Sequence, residues 1–336
     1  MAHAKSSLKP LDIQRAPEGG EIGPVQSGWR LAFREFRSSK LAVIGVCMLL
    51  FFILFCFVGP LIYHTNQLST NLMVTNESPS GAHLLGTDGN GFDELGRIMK
   101  GGQAALEIGF FAAVVAIVLG SLIGATAGLC GGLVDATLMR LTDVFLSVPF
   151  LFVVLIMAVR FGATVLSLSL LIGLFSWQVP ARLVRGEVLT LRERDFILAA
   201  RTAGAGNWRL ILRHLLPNAL GVVIVNMTFQ VADAIIAVSY VGFLGFGLHF
   251  PNVDWGDQLS DGVLYLEDGY WWLIFPVGAC IVLTVMALNF LGDALRDSLD
   301  VRLRRRLRGL IGGKAHIRSE NGKTLVRGTR PHGPRP

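Results

Sequence analysis

Long uncharged apolar blocks alternate with charged connections along this chain. Residues 41–63 hold no charged side chain over 23 positions. At about 1.5 Å of rise per residue, a helix of that length crosses a ~30 Å hydrocarbon core with tilt to spare. Five further blocks predict helices at about 104–129, 143–160, 163–181, 218–240 and 272–292. The third and fourth are short and separated only by Arg160-Phe161-Gly162. Asp135, Arg140 and Asp143 fall on a cytoplasmic extension of the third helix. The expected fold is an all-α integral membrane protein with six transmembrane helices.

The connections set the orientation. The segment before the first helix carries seven Lys and Arg, the 2–3 loop one, the 4–5 loop seven and the C-terminal segment twelve. The other side has three, namely Arg97, Lys100 and Arg160. The positive-inside rule then places both termini in the cytoplasm, as an even number of helices requires. The outer stretch 241–271 carries Asp254, Asp257, Asp261, Glu267 and Asp268 with no Lys or Arg. Its Trp255, Tyr265, Tyr270, Trp271 and Trp272 suit a membrane–water interface, and a re-entrant or surface-lying segment is expected there.

Composition changes the picture little. The 336 residues are 52% hydrophobic and 16% charged, against about a quarter charged in soluble domains. The net charge of +6 flanks membrane helices, so orientation explains it more simply than nucleic-acid binding. Cys47, Cys56, Cys130 and Cys280 lie in or beside apolar blocks without metal-ligand spacing, and small core residues describe them best. The polar first 40 residues lack the form of a cleavable signal peptide.

The 4–5 loop, 182–217, carries a hydrophobic pattern that a polar loop does not need. Asp195 is placed to cap a short helix, Phe196-Ile197-Leu198-Ala199-Ala200-Arg201-Thr202-Ala203, with Gly204 ending it in a left-handed conformation. A second helix follows from about Asn207 to Leu216, with Pro217 opening the fifth span. The small residues Ala199, Ala200 and Gly204 at the corner admit another protein's backbone, whereas a helix lying flat on lipid accounts for the same pattern.

Ala199-Ala200-x3-Gly204, with Leu212, Leu216, Pro217 and Asn218 after it, resembles the EAA loop of binding-protein-dependent ABC importers, with Leu198 at the position usually held by Glu. Leu85-Gly86-Thr87-Asp88 with Phe92-Asp93 is similar to a segment of the dipeptide/oligopeptide permease C-subunit family. The same holds for Ala181-Arg182-Leu183-Val184-Arg185-Gly186-Glu187, Phe243-Leu244-Gly245-Phe246-Gly247, Trp255-Gly256 and the run from Ala287 to Asp297. Phe92 stands where Arg is usual, and Val238 where Glu is often found.

The resemblance covers about residues 28 to 306 and implies a type I ABC importer permease. It divides the chain into a cytoplasmic N-terminal segment (1–40), a first helix with its outer loop (41–97), a five-helix permease domain (98–300) and a basic tail expected to be disordered (301–336). It implies residence in a bacterial cell membrane and import of di- or oligopeptides. Implied partners are a second homologous permease, two ATPase subunits and an extracytoplasmic binding protein. Residues Asp195, Leu198, Ala199, Ala200, Arg201, Gly204, Leu216 and Pro217 would form the coupling loop on an ATPase subunit. Nickel complexes or another small solute remain alternative cargo.

Two features inside the helices carry information of their own. Gly120-x3-Gly124-x3-Gly128 presents a face without Cβ atoms, suited to close packing within the chain or against a partner. Asp233 is the one carboxylate well inside a strongly apolar block, and Gln230 and Asn226 precede it on roughly the same helical face. A charge at that depth costs at least ~2.5 kcal/mol, so these three outline a polar stripe along a passage, or a hydrogen-bonded helix contact. No catalytic set assembles, and Gly322-Lys323-Thr324 lacks the earlier glycine of a phosphate-binding loop. No cofactor is therefore expected in this chain, and ATP hydrolysis is assigned to partner subunits. An ion-coupled transporter, resting on Asp233 alone, is the rival from another class.

Overall fold

The computed structural model describes residues 36–311, with side chains described to residue 299. The N-terminal segment before residue 36 and the tail beyond 311 lie outside the described residues. All regular structure among the described residues is helical, apart from one antiparallel bridge between Thr87 and Asp93.

Helix α1, Lys40–Phe57, opens on Ser39, whose hydroxyl accepts from the Ala42 N–H. A single turn, α2, Gly59–Ile62, completes the first span. Helix α3, Glu94–Cys130, is the central element and is longer than its apolar block. Asp93 caps it, accepting from the Gly96 N–H at 2.9 Å, and Gly131 at φ +64° ends it. Around α3 pack the first span, the later helices of the third-to-fourth region and the fifth span.

The third and fourth spans are broken, which corrects the continuous helices expected at 143–160 and 163–181. Helix α4, Gly132–Ser147, and α5, Phe150–Phe161, meet at 79°. Pro149 explains the bend, because the residue before a proline is driven out of the helical region; Val148 is extended at φ −84°, ψ 129°. Helix α6, Val165–Leu174, opens on a reciprocal Thr164–Ser167 cap. It meets α7, Gln178–Leu191, at 47°. Pro180 has no N–H to give the Ser176 carbonyl, so a continuous helix would leave that acceptor empty.

Two short helices follow: α8, Asp195–Thr202, and α9, Asn207–Leu210. A π-helical turn, Ile211–Leu215, then joins α9 directly to α10, Leu216–Val241. Pro217 lies at the start of α10, and the wider turn before it accommodates the missing N–H donor. The Asn218 amide donates to the His214 carbonyl at 2.6 Å. From Asn207 to Phe246 the chain is thus one helical run of 40 residues, about 60 Å long.

The outer stretch folds back over the end of α3. Helix α11, Trp255–Val263, is capped by Asp254. Trp255 is wholly buried, and its indole N–H donates to the Ile98 carbonyl at 2.9 Å. Helix α12, Phe275–Ile311, forms the last span and continues helically through 301–311, part of the segment expected to be a disordered tail. Among the described residues, four helical stretches are long and apolar enough to cross a membrane, or up to six if each bent pair is one span.

Glycines explain the close packing on α3. A Cβ on Gly124 would lie 2.2 Å from the Ala181 carbonyl oxygen, and one on Gly120 would lie 2.6 Å from the Pro180 side chain. The small-residue face therefore packs against α7 of the same chain, one of the two readings open from the sequence.

Candidate functional site: an exposed apolar loop and a side-opening cavity

The residues expected to form a coupling loop lie beside the C-terminal ends of α3 and α7. Ile197 is wholly buried in a cluster with Ala125, Leu129, Val184, Val188 and Leu210. This residue, absent from the motif, is the anchor of α8, and it leaves Leu198, Ala199 and Arg201 exposed on the other side. Gly204 adopts φ +83° as expected. Its N–H donates to the Arg201 carbonyl at 2.9 Å and the Ala205 N–H to the Ala200 carbonyl at 3.0 Å, a Schellman termination. Asp195 does not cap the helix: Arg194 occupies the cap position, and no side chain caps it. Asp195 is instead the first helical residue, where its carboxylate faces the positive end of the helix dipole.

The loop presents apolar surface where solvent would otherwise meet polar groups. Phe196, Leu198, Trp208 and Leu212 are 44%, 48%, 64% and 57% exposed. Leu216 is half-buried and Pro217 exposed at the junction with α10. Trp208 was not singled out from the sequence; an exposed Trp one residue into a capped turn is the signal that marks it. Ion pairs brace the same end of the molecule. Arg185 holds Asp135 and Arg182 holds Asp143, each at 2.5 Å, tying α7 to α4.

At the other end of the 40-residue run, α10 walls a cavity of about 580 Å³. Gln230 and Asp233 line it, together with Phe150, Phe175, Gln178 and Tyr240. Asp233 and Tyr240 are exposed, so the cavity opens on the side of the chain. Gln178 comes from the first turn of α7, placed there by the break after α6. Asn226 is not among the lining residues, and its buried side-chain oxygen has no partner. Of the expected stripe, then, two members meet at the cavity and one does not.

The two departures from the family pattern lie away from this cavity. Phe92 is buried under the outer loop, 5.2 Å below the Arg97 guanidinium and 6.3 Å from the Phe250 ring. Val238 is wholly buried in the main core. The outer connections form their own polar network. Arg97 pairs with Asp88 at 3.2 Å, and Asp93 accepts from Tyr63 at 2.8 Å and meets His83 at 3.0 Å. Burial, then the hydrogen bond to Asp93, raises the Tyr63 phenol above its ordinary range. Burial also raises Asp254 and Asp257, and Asp257 is pushed further by the Asp254 charge. A second cavity, of about 920 Å³, lies among these outer loops and includes His64, Arg97, Lys100 and Asp257. No group of three His, Cys, Asp or Glu side chains suited to a metal ion occurs among the described residues.

The sequence model for the inner membrane component of binding-protein-dependent transport systems matches residues 95–305. The chain belongs to that family. A second model, for the N-terminal transmembrane domain of oligopeptide transport permease C, matches residues 27–79. The permease is 34% identical to the dipeptide transport system permease protein DppC of Alkalihalophilus pseudofirmus, over 90% of this chain and 98% of that one. It is 38% identical to the oligopeptide transport system permease protein OppC of Escherichia coli, over 82% and 91%. It is also 38% identical to a putative peptide permease protein of Brucella suis, over 87% and 97%. Among solved structures, an inward-facing MetNI methionine ABC transporter aligns with 60% of the permease and 96% of its own chain, at 22% identity and a TM-score of 0.47.

Proposed function

We propose that this permease forms, with a second homologous permease, the path by which di- or oligopeptides enter the cell from an extracytoplasmic binding protein. Two ATPase subunits dock at the cytoplasmic face, and both termini lie on that side. The reading rests on the family and on the names of its relatives. The observation that carries the mechanism is the helical run from Asn207 to Val241, in which α9, the π-helical turn and α10 follow one another without a gap. An apolar loop at one end and a cavity walled by Gln230 and Asp233 towards the other share that rod.

Coupling then needs no flexible intermediary. ATP closes the ATPase pair, the exposed face of Leu198, Trp208 and Leu212 moves with it, and the buried Ile197 cluster carries the motion to α3 and α7. Helix α10 turns with them and alternately opens the cavity to each side. The opening beside Asp233 and Tyr240 supplies the face on which a second permease closes the path.

The test is affinity purification of the chain from gently solubilised membranes, followed by reconstitution into vesicles. Recovery with a second permease and ATPase subunits, and ATP-dependent dipeptide uptake once a binding protein is added, is the expected result. Full uptake by the chain alone, driven by an ion gradient, overturns the proposal.

A further inference from the structure

Gln178 and Gln230 face the same cavity from different helices, and each is more than nine-tenths buried, at 4% and 7% exposure. Among the described residues neither side chain has a hydrogen-bond partner. A primary amide offers two donors and a carbonyl acceptor, and an unmet amide inside a hydrocarbon slab costs several kcal/mol. Their amides are therefore free to pair with what fills the cavity. Asp233 lies one helical turn from Gln230 and adds the cavity's one charged side chain. Ser176 aside, the remaining lining is apolar or aromatic, including Phe150, Phe175 and Tyr240 with its phenol hydroxyl.

We propose that this cavity reads the backbone of a peptide rather than its side chains, with Gln178 and Gln230 pairing with peptide N–H and C=O groups and Asp233 taking the α-ammonium. A peptide group presents one donor and one acceptor, which is what a side-chain amide complements. Asp233 complements a cation, and no basic side chain lines the cavity to compete with an ammonium for it. The aromatic walls offer bulk without directional demands, so side chains of different chemistry are admitted alike. Gln178 enters only because the chain breaks between α6 and α7, and irregular backbone at membrane depth is tolerated where it lines a cavity.

This inference rests on the path described under Proposed function, and the experiment separates the two. Gln178→Leu, Gln230→Leu and Asp233→Asn are assembled with their partner subunits, and uptake of Ala-Ala, Lys-Ala, Glu-Ala and Phe-Ala is measured. Each variant is expected to slow all four dipeptides by a similar factor, about tenfold or more for Asp233→Asn, where a charge-assisted hydrogen bond is lost. Asp233→Glu, which keeps the charge, recovers part of the rate. Selective loss for some side chains only overturns the backbone reading.

A second readout uses Tyr240→Cys, with thiol labelling followed during turnover. Turnover-dependent labelling together with unchanged uptake in all three polar variants leaves the path in place and refutes the backbone reading. Labelling indifferent to turnover removes the path itself.

Discussion

Arg185 grips Asp135 with both arms of its guanidinium, Nε to Oδ1 at 2.5 Å and Nη2 to Oδ2 at 2.6 Å. Arg182 meets Asp143 through a single contact at 2.5 Å, and both of those side chains are half exposed. The first pair is more enclosed, and two parallel bonds fix its geometry. Solvent screens the second pair, so its contribution is small. Asp135→Asn is expected to lower the thermal midpoint of the purified assembly more than Asp143→Asn does. The exchange Asp135→Arg with Arg185→Asp should recover part of the loss. Equal shifts for the two single variants would contradict this ranking.

The packing of α3 on α7 predicts a sharp contrast between two glycines. A Cβ at Gly124 meets the Ala181 carbonyl at 2.2 Å, whereas one at Gly206 meets nothing within 4 Å. Gly124→Ala therefore forces two helix backbones apart, at a cost of about 1–3 kcal/mol. Gly206→Ala leaves packing untouched. Thermal unfolding of both variants checks the pair, with a lowered midpoint expected for the first alone.

Gly204 has open space around it and is constrained by its φ of +83° instead. A β-carbon in the left-handed region costs about 1–2 kcal/mol, enough to unwind a two-turn helix held by one buried side chain. Gly204→Leu is expected to uncouple ATP hydrolysis from uptake while membrane insertion stays intact. Gly204→Asn, which tolerates that region, should retain most uptake. Normal transport by the Leu variant would exclude a docking role for this turn.

Asp257 makes the outer cap sensitive to pH. Burial and the neighbouring Asp254 charge raise its folded pKa, against weaker lowering by Arg97 and His249. A raised folded pKa means that its contribution to stability is full below the ordinary Asp value of about 3.9 and is lost as pH rises through the folded value. Asp257→Asn should therefore raise the thermal midpoint at neutral pH, with the gain vanishing under acid conditions. Backbone capping is unaffected, because the bond to Asp254 comes from the residue 257 N–H. A gain that persists at pH 3 would rule out titration of Asp257 as its source.

The sequence shows the first, second, fifth and sixth membrane helices because each is an apolar block long enough to cross a bilayer. It hides the breaks at Val148 and Ser176, because an apolar run does not show where the helix within it bends. Pro149 and Pro180 were the available signals, each marking a lost donor. The same breaks explain why Gln178 went unnoticed: its position matters only once α7 starts anew. Helical spacing puts Asn226, Gln230 and Asp233 on roughly one face of α10, yet only Gln230 and Asp233 line the cavity. Seven residues are also about 10 Å along the axis, and the cavity does not extend that far towards the start of α10. In the loop, small residues and Gly204 revealed the corner, while Ile197 shows itself as the anchor only when α3 and α7 are in place around it.

The central claim is that the exposed apolar face around Leu198 and Trp208 docks on an ATPase subunit. Site-specific photo-crosslinking from position 198 in intact membranes tests it most directly, with position 133 as a control. Leu133 is 87% exposed and lies outside the loop. A crosslink from position 198 to an ATP-hydrolysing subunit, lost on ATPase removal and missing from position 133, is the predicted result. Crosslinks from position 198 to lipid alone would contradict the account, leaving α8 as a helix resting on the membrane surface.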